Sequence, residues 1–197
     1  MAKLYFKYGA MGSSKSAQAL ITQFNYEELG MTVWLIKPSV DDRDGANIVK
    51  SRVGLSREAE VITPEDSIRA RYAATGGRDV IIADEAQFLT PEQIDELRDI
   101  VDELNVPVLC FGLRTDFLTH MFPGSRRLME LADSITEVKT VCACGAKATV
   151  NARLTPDGRI VTEGEQVFLG GNDAYVAMCH RCWKKKISEQ GTARMKK

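Results

Sequence analysis

Lys15 and Ser16 close an eight-residue run, Gly9-Ala10-Met11-Gly12-Ser13-Ser14-Lys15-Ser16, whose residue types suit a nucleoside triphosphate. In a loop of this kind the backbone N–H groups and the N-terminus of the next helix point at phosphate oxygens. An ammonium at Lys15 reaches the β- and γ-phosphates, and a hydroxyl at Ser16 is placed to ligand Mg²⁺. The pattern G-x-x-x-x-G-K-[ST] wants glycine where this chain carries Ser14. Serine keeps the backbone N–H but adds a Cβ at a tight bend. Alone, the same composition would also make a polar turn. A second run, Val80-Ile81-Ile82-Ala83-Asp84-Glu85, ends an apolar segment in two acids. Asp84 is expected to help hold Mg²⁺, and Glu85 to take a proton from an attacking hydroxyl. The two runs together point to phosphoryl transfer.

A third constellation is made of thiols. Cys142-x-Cys144 and Cys179-x-x-Cys182 form two close pairs, which suggests four thiolates around a structural Zn²⁺. The first pair is one residue shorter than the usual knuckle, and Cys144-Gly145 leaves room for that. His180 is an alternative ligand, although it lies between the two cysteines of one pair. The fifth cysteine, Cys110, falls in an apolar run and reads as a buried free thiol.

These residues need a frame. Leu4–Tyr8, Thr32–Ile36, Val80–Ala83 and Val106–Gly112 read as short apolar strands. Between them lie helical stretches. Ala17, Leu20, Ile21 and Phe24 recur at helical spacing, as do Ile94, Leu97, Ile100, Val101 and Leu104. Thr63-Pro64-Glu65-Asp66 and Thr90-Pro91-Glu92-Gln93 both read as helix starts, the second with Gln93 set for a capping box. Strands alternating with helices predict an α/β fold with a P-loop (RecA-like) parallel sheet flanked by helices. Ligands on such sheets bind at the carboxyl ends of the strands, where the P-loop, Asp84 and Gly112 fall.

Composition changes after Ala132. The expected organisation is a nucleotide-binding α/β domain over 1–132, a small zinc-ribbon-like β domain over 133–183, and a flexible tail over 184–197. The polar segment 40–57 reads as a flexible loop. The chain of 197 residues is 44% hydrophobic with a net charge of −1, so no global charge favours nucleic acid or an anionic membrane. No apolar run reaches the length of a membrane span, and residues 1–8 lack a signal-peptide core. Paired cysteines without a secretion signal point to the cytoplasm.

Taken in order, the P-loop, Asp41-Asp42-Arg43, Asp84-Glu85-Ala86-Gln87-Phe88, Gly112-Leu113-Arg114-Thr115-Asp116-Phe117, the C-x-C, Gly170-Gly171-Asn172-Asp173-Ala174-Tyr175 and Cys179-His180-Arg181-Cys182 resemble the type II (cellular-type) thymidine kinase family. The resemblance spans roughly residues 3–183. It implies ATP-dependent phosphorylation of the 5′-hydroxyl of thymidine, or of deoxyuridine, to give dTMP and ADP. It implies Glu85 as the catalytic base and Arg43 as a phosphate-contacting arginine. Ser16 and Asp84 match the Mg²⁺ positions, and Lys15 the phosphate lysine. Met11, Phe88, Leu113, Phe117 and Tyr175 match residues that enclose the nucleoside, together with Phe168 on a lasso over about 155–174. A homotetramer inhibited by dTTP is also implied. The competing class is a P-loop ATPase whose zinc ribbon docks nucleic acid; the scattered charges of 133–183 speak against it. A third reading is a nucleotide-binding regulator in which Ser14 has removed turnover.

Overall fold

The computed structural model describes residues 1–41, 45, 47–167 and 174–194. Its centre is a sheet of six parallel strands: β1 (Leu4–Tyr8), β2 (Val33–Pro38), β5 (Glu60–Ile62), β6 (Val80–Ala83), β7 (Val108–Gly112) and β8 (Ser134–Glu137). Their order across the sheet is β5-β2-β6-β7-β1-β8. The strand β7 therefore separates the strand that feeds the P-loop from the strand that ends in Asp84. Every residue of β6 and β7 is buried, as expected of parallel strands covered on both faces.

Alternate side chains of these strands feed two cores. On one face Ile81, Val108 and Cys110 pack with Ile94, Leu97 and Ile100 of α3 (Pro91–Leu104), and with α2 (Ile68–Ala74) and α4 (Pro123–Leu131). On the other, Ile82, Leu109 and Phe111 meet Ala19 and Leu20 of α1 (Lys15–Glu28). The expected stripe on α1 is only half right. Ala17 and Leu20 are buried, but Ile21 and Phe24 stand about half exposed, because the helix turns small Ala17 and Ala19 to the sheet. On α3 the stripe is buried as far as Val101, with Leu104 exposed at the end.

The start signal at Thr90 is a true capping box: Thr90 accepts from the Gln93 amide, and the Gln93 side chain accepts from Thr90. The one at Thr63 is not. Helix α2 begins instead after Ser67, whose hydroxyl accepts from Ala70 N–H at 3.1 Å. Asp66 turns back to accept the Thr63 N–H at 2.8 Å, and Gln93 Nε2 donates to the Thr63 and Asp66 carbonyls, which holds 63–66 as a turn.

Three further expectations differ from the structure. The sheet does not end near Ala132: β8 pairs with β1 from Tyr5↔Ser134 to Tyr8↔Glu137. It is an edge strand with Ile135 exposed, so its composition reads polar. Segment 40–57 is not all loop. It carries the antiparallel pair β3 (Ile48–Lys50) and β4 (Ser56–Glu58), with Val49 buried beside Leu20 and Ala59. Residues from 184 continue α5 (His180–Arg194), because Trp183 and Ile187 pack on a small core of Cys142, Ala152, Ile160 and Met178. That core also holds the antiparallel pair β9 (Val150–Arg153) and β10 (Tyr175–Met178). Among the described residues, no helix is long and apolar enough to cross a membrane.

Candidate active site

The P-loop leaves the carboxyl end of β1 and enters α1. Two of its residues adopt left-handed backbone, Gly12 at φ 74° and Ser14 at φ 62°. Position 14 thus has the conformation for which the motif prefers glycine, and Ser14 adopts it at a steric cost. Gly9 is required for another reason: a Cβ there would lie 2.3 Å from the Val138 carbonyl oxygen. No acid occupies the first turn of α1, so the helix N-terminus presents its N–H groups without a competing carboxylate. Lys15 is buried, and its Nζ donates to the Ala10 carbonyl at 3.0 Å and to Ser13 Oγ at 3.3 Å.

Asp84 and Glu85 leave β6 at the same edge. Asp84 is buried and accepts from the Ser16 hydroxyl. Burial, and then the charge of Glu85, push its carboxyl up to about 7 against the pull of Ser16 and Lys15. Glu85 is left-handed, at φ 50°. A short 3₁₀ helix follows (Ala86–Phe88). A buried carboxylate bonded to a hydroxyl is a donor set that fits a hard cation such as Mg²⁺.

Both pieces open into one solvent-open cleft with a cavity volume of about 150 Å³. Met11, Phe88, Leu113, Phe117 and Tyr175 line it, together with Ser14, Lys15, Ser16, Asp84 and Glu85. Phe88 meets Phe122 edge-on at 5.4 Å between ring centroids. Gly9, Ala10 and Ser13 lie behind the loop rather than on this cleft. Arg43 and Phe168 lie outside the described residues.

Several lining residues were not anticipated. Asn151 and Arg153 sit two apart on β9; Asn151 lines the cleft, and Arg153 packs behind its Phe117 wall. Asn151 accepts the Met11 N–H at 2.8 Å and donates to the Thr115 carbonyl at 2.8 Å. Arg153 lies over the Phe117 ring and hydrogen-bonds Tyr175. Gln166 donates to Asp116 at 2.9 Å. Two polar residues at i and i+2 in a strand were the available signal, since that spacing sets both on one face. The buried Lys37 reaches Asp41 at 3.1 Å and the Ile48 carbonyl at 2.9 Å, which ties the start of the 41–48 segment to the end of β2.

The thiols converge. The Sγ atoms of Cys142, Cys144, Cys179 and Cys182 all lie within 4.8 Å of one another. The Cys144–Cys179 pair is 3.7 Å apart. A tetrahedron with Zn–S bonds of about 2.3 Å has edges of about 3.8 Å, so this donor set fits zinc, short C-x-C included. Backbone N–H groups of Cys144 and Cys179 push the Cys142 thiol down to about 6. Hydrogen bonds to the neighbouring sulfurs push Cys182 up to about 12. His180 is exposed and lies tilted against Trp183, 5.5 Å between ring centroids, outside the cluster.

The whole arrangement can be set beside known proteins. The family model described as "Thymidine kinase" matches residues 2–183, which takes in the P-loop, both acids and all four clustered cysteines. The chain belongs to the thymidine kinase family. It is 45% identical over 195 residues to the thymidine kinase of Ruegeria pomeroyi, covering 97% of this chain and 98% of that one. It is 47% identical over 191 residues to the Yersinia pestis thymidine kinase, covering 95% and 97%. Against that of Vibrio vulnificus it is 43% identical over 192 residues, covering 96% and 100%.

Proposed function

We propose that this chain is a nucleoside kinase that transfers the γ-phosphoryl group of ATP to the 5′-hydroxyl of thymidine, giving dTMP and ADP in nucleotide salvage. The observation that carries the reading is the single cleft in which the P-loop and the Asp84–Glu85 pair meet a chamber walled by Met11, Phe88, Leu113, Phe117 and Tyr175. Phosphoryl transfer asks for positioning and charge neutralisation more than covalent chemistry. Lys15 and the N-terminus of α1 hold the phosphates. Arg43 adds a second positive charge. Glu85 accepts the proton of the attacking hydroxyl. The aromatic walls hold the nucleoside, and residues about 155–174 close over it to exclude water, so that ATP is not spent on hydrolysis.

Ser16 and Asp84 would hold Mg²⁺, which neutralises charge on the phosphates when bound. The four cysteines would hold Zn²⁺ in a structural role, since all four positions are filled by sulfur. The same family reading gives a cytoplasmic homotetramer inhibited by dTTP and able to take deoxyuridine. The half-exposed Ile21 and Phe24 on α1 offer an apolar face to a partner subunit. We also take the P-loop unit and the cysteine-bearing unit as separate domains, with β8 in the first.

ADP release measured with thymidine, with DNA and with neither tests the proposal. Release should depend on thymidine, and Glu85→Gln should lower kcat by about 10²–10⁴-fold, the usual worth of a positioned base. Release that depends on DNA and ignores thymidine would overturn it.

A further inference from the structure

We propose that Gln87 is a positioning residue for the proton acceptor, fixing the rotation of the Glu85 carboxylate by tying it to the exit of β7. The inference rests on the reading of Glu85 as that acceptor. Gln87 is 1% exposed, and both ends of its carboxamide are engaged. Oε1 accepts the Leu113 N–H at 2.9 Å, and Nε2 donates to Glu85 Oε2. The orientation of the amide is set by chemistry: a backbone N–H can only donate, so the oxygen must face Leu113 and the nitrogen must face Glu85.

The surroundings are shaped to this bridge. A Cβ on Gly112 would lie 2.6 Å from Gln87 Oε1 and 3.1 Å from Gln87 N, so glycine at the end of β7 is what admits the side chain. Glu85 itself stands on a left-handed residue between β6 and the 3₁₀ turn, where its backbone alone gives the carboxylate no fixed heading. Gln87, two residues on in that turn, supplies the heading through its own anchor on the Leu113 N–H, just past the end of β7. Leu113 also lines the chamber, so the contact that aims the carboxylate also fixes part of the nucleoside wall.

Three variants test this: Gln87→Met, Gln87→Glu and Glu85→Gln, each with a melting curve, full kinetics in both substrates and a pH profile. Gln87→Met keeps the volume and removes both hydrogen bonds. Its kcat should fall about 10–100-fold, the cost of a reacting group misplaced by about 1 Å, with both KM values within about threefold. Gln87→Glu keeps an acceptor for Leu113, so it guards against a fold lost in the methionine variant. At neutral pH it sets a second carboxylate against Glu85. On acidification the neutral acid becomes an isostere of the amide, with an O–H donor toward Glu85. The activity of Gln87→Glu relative to Gln87→Met should therefore rise as pH falls, a trend that a purely structural role would not produce. Wild-type kcat in Gln87→Met beside a large loss in Glu85→Gln overturns the positioning role alone. A flat ratio across pH also overturns it. Wild-type kcat in Glu85→Gln overturns the positioning role together with the reading beneath it.

Discussion

The guanidinium of Arg153 lies 3.8 Å from the centroid of the Phe117 ring. From that seat its Nε donates to the Tyr175 hydroxyl at 2.9 Å, and its two terminal nitrogens donate to the Glu165 and Gln166 carbonyls at 3.1 and 3.2 Å. A single side chain on β9 thus holds Phe117, Tyr175 and the backbone at Glu165 and Gln166 together.

Arg153→Met should keep the aliphatic stem while losing the hydrogen bonds and the cation–π contact, together worth several kcal/mol when desolvated. We expect the KM for thymidine to rise about 10–100-fold and the KM for ATP to change less than about threefold. Steady-state kinetics in each substrate decides it. Equal changes in both constants would mean that the arginine supports the fold at large rather than the nucleoside chamber.

Ser14 sits at φ 62°, where a Cβ costs about 1 kcal/mol and glycine does not. Ser14→Gly should leave the KM for ATP equal or lower. A marked rise would identify the Ser14 hydroxyl as a ligand in its own right. Ser14→Ala keeps the strain and serves as the control.

Asp84 gives a pH dependence of defined sign. Burial and Glu85 raise its carboxyl from the ordinary 3.8 to about 7. Between about pH 4 and 7 the folded chain therefore binds a proton that the unfolded chain has released, and stability falls as pH rises through that window. Asp84→Asn removes the charge. Metal-free protein carrying it should melt higher than wild type at pH 8 by several degrees, at about 2–4 °C per kcal/mol, and should show a flatter profile between pH 4 and 7. Turnover should be lost. Parallel melting profiles for the two proteins would show that Asp84 does not titrate in this range.

Metal analysis should return about one zinc per chain, held by Cys142, Cys144, Cys179 and Cys182. Chelation should lower the melting temperature, because the core around Ala152 and Met178 is small. The loss should also reach the phosphate loop, through the 2.8 Å hydrogen bond from Met11 N–H to Asn151 on β9. ATP binding followed by calorimetry before and after chelation reads this directly. Unchanged affinity in protein shown to be zinc-free would confine the metal's effect to its own unit.

The residues that could be read from the chain are those whose meaning is local. The P-loop, the acids after β6 and the cysteine pairs each lie within a few positions, and their chemistry follows from that spacing. The Thr90–Gln93 box is equally local. Arg153 and Asn151 escaped notice because Phe117 lies 36 positions from one, counting 117 to 153, and Met11 140 positions from the other. The role of Gln87 is not local either, since its partner Leu113 follows β7, 26 positions away. The β3–β4 pair reads as loop because its support is tertiary: Val49 against α1, and Lys37 bonded across to Ile48. Residues after Trp183 were taken for tail because Gln190 gains its role only by meeting both backbone groups of Ile160.

Cys110 is fully enclosed between β6 and β1, and burial pushes its thiol up to about 12. It is silent toward electrophiles while the fold holds. The other four of the chain's five cysteines share a single cluster. Reagent uptake by the native protein is therefore a gauge of one place only: four equivalents when the cluster is open, and none if the proposed zinc closes it. A fifth equivalent reports that the central sheet itself has come apart.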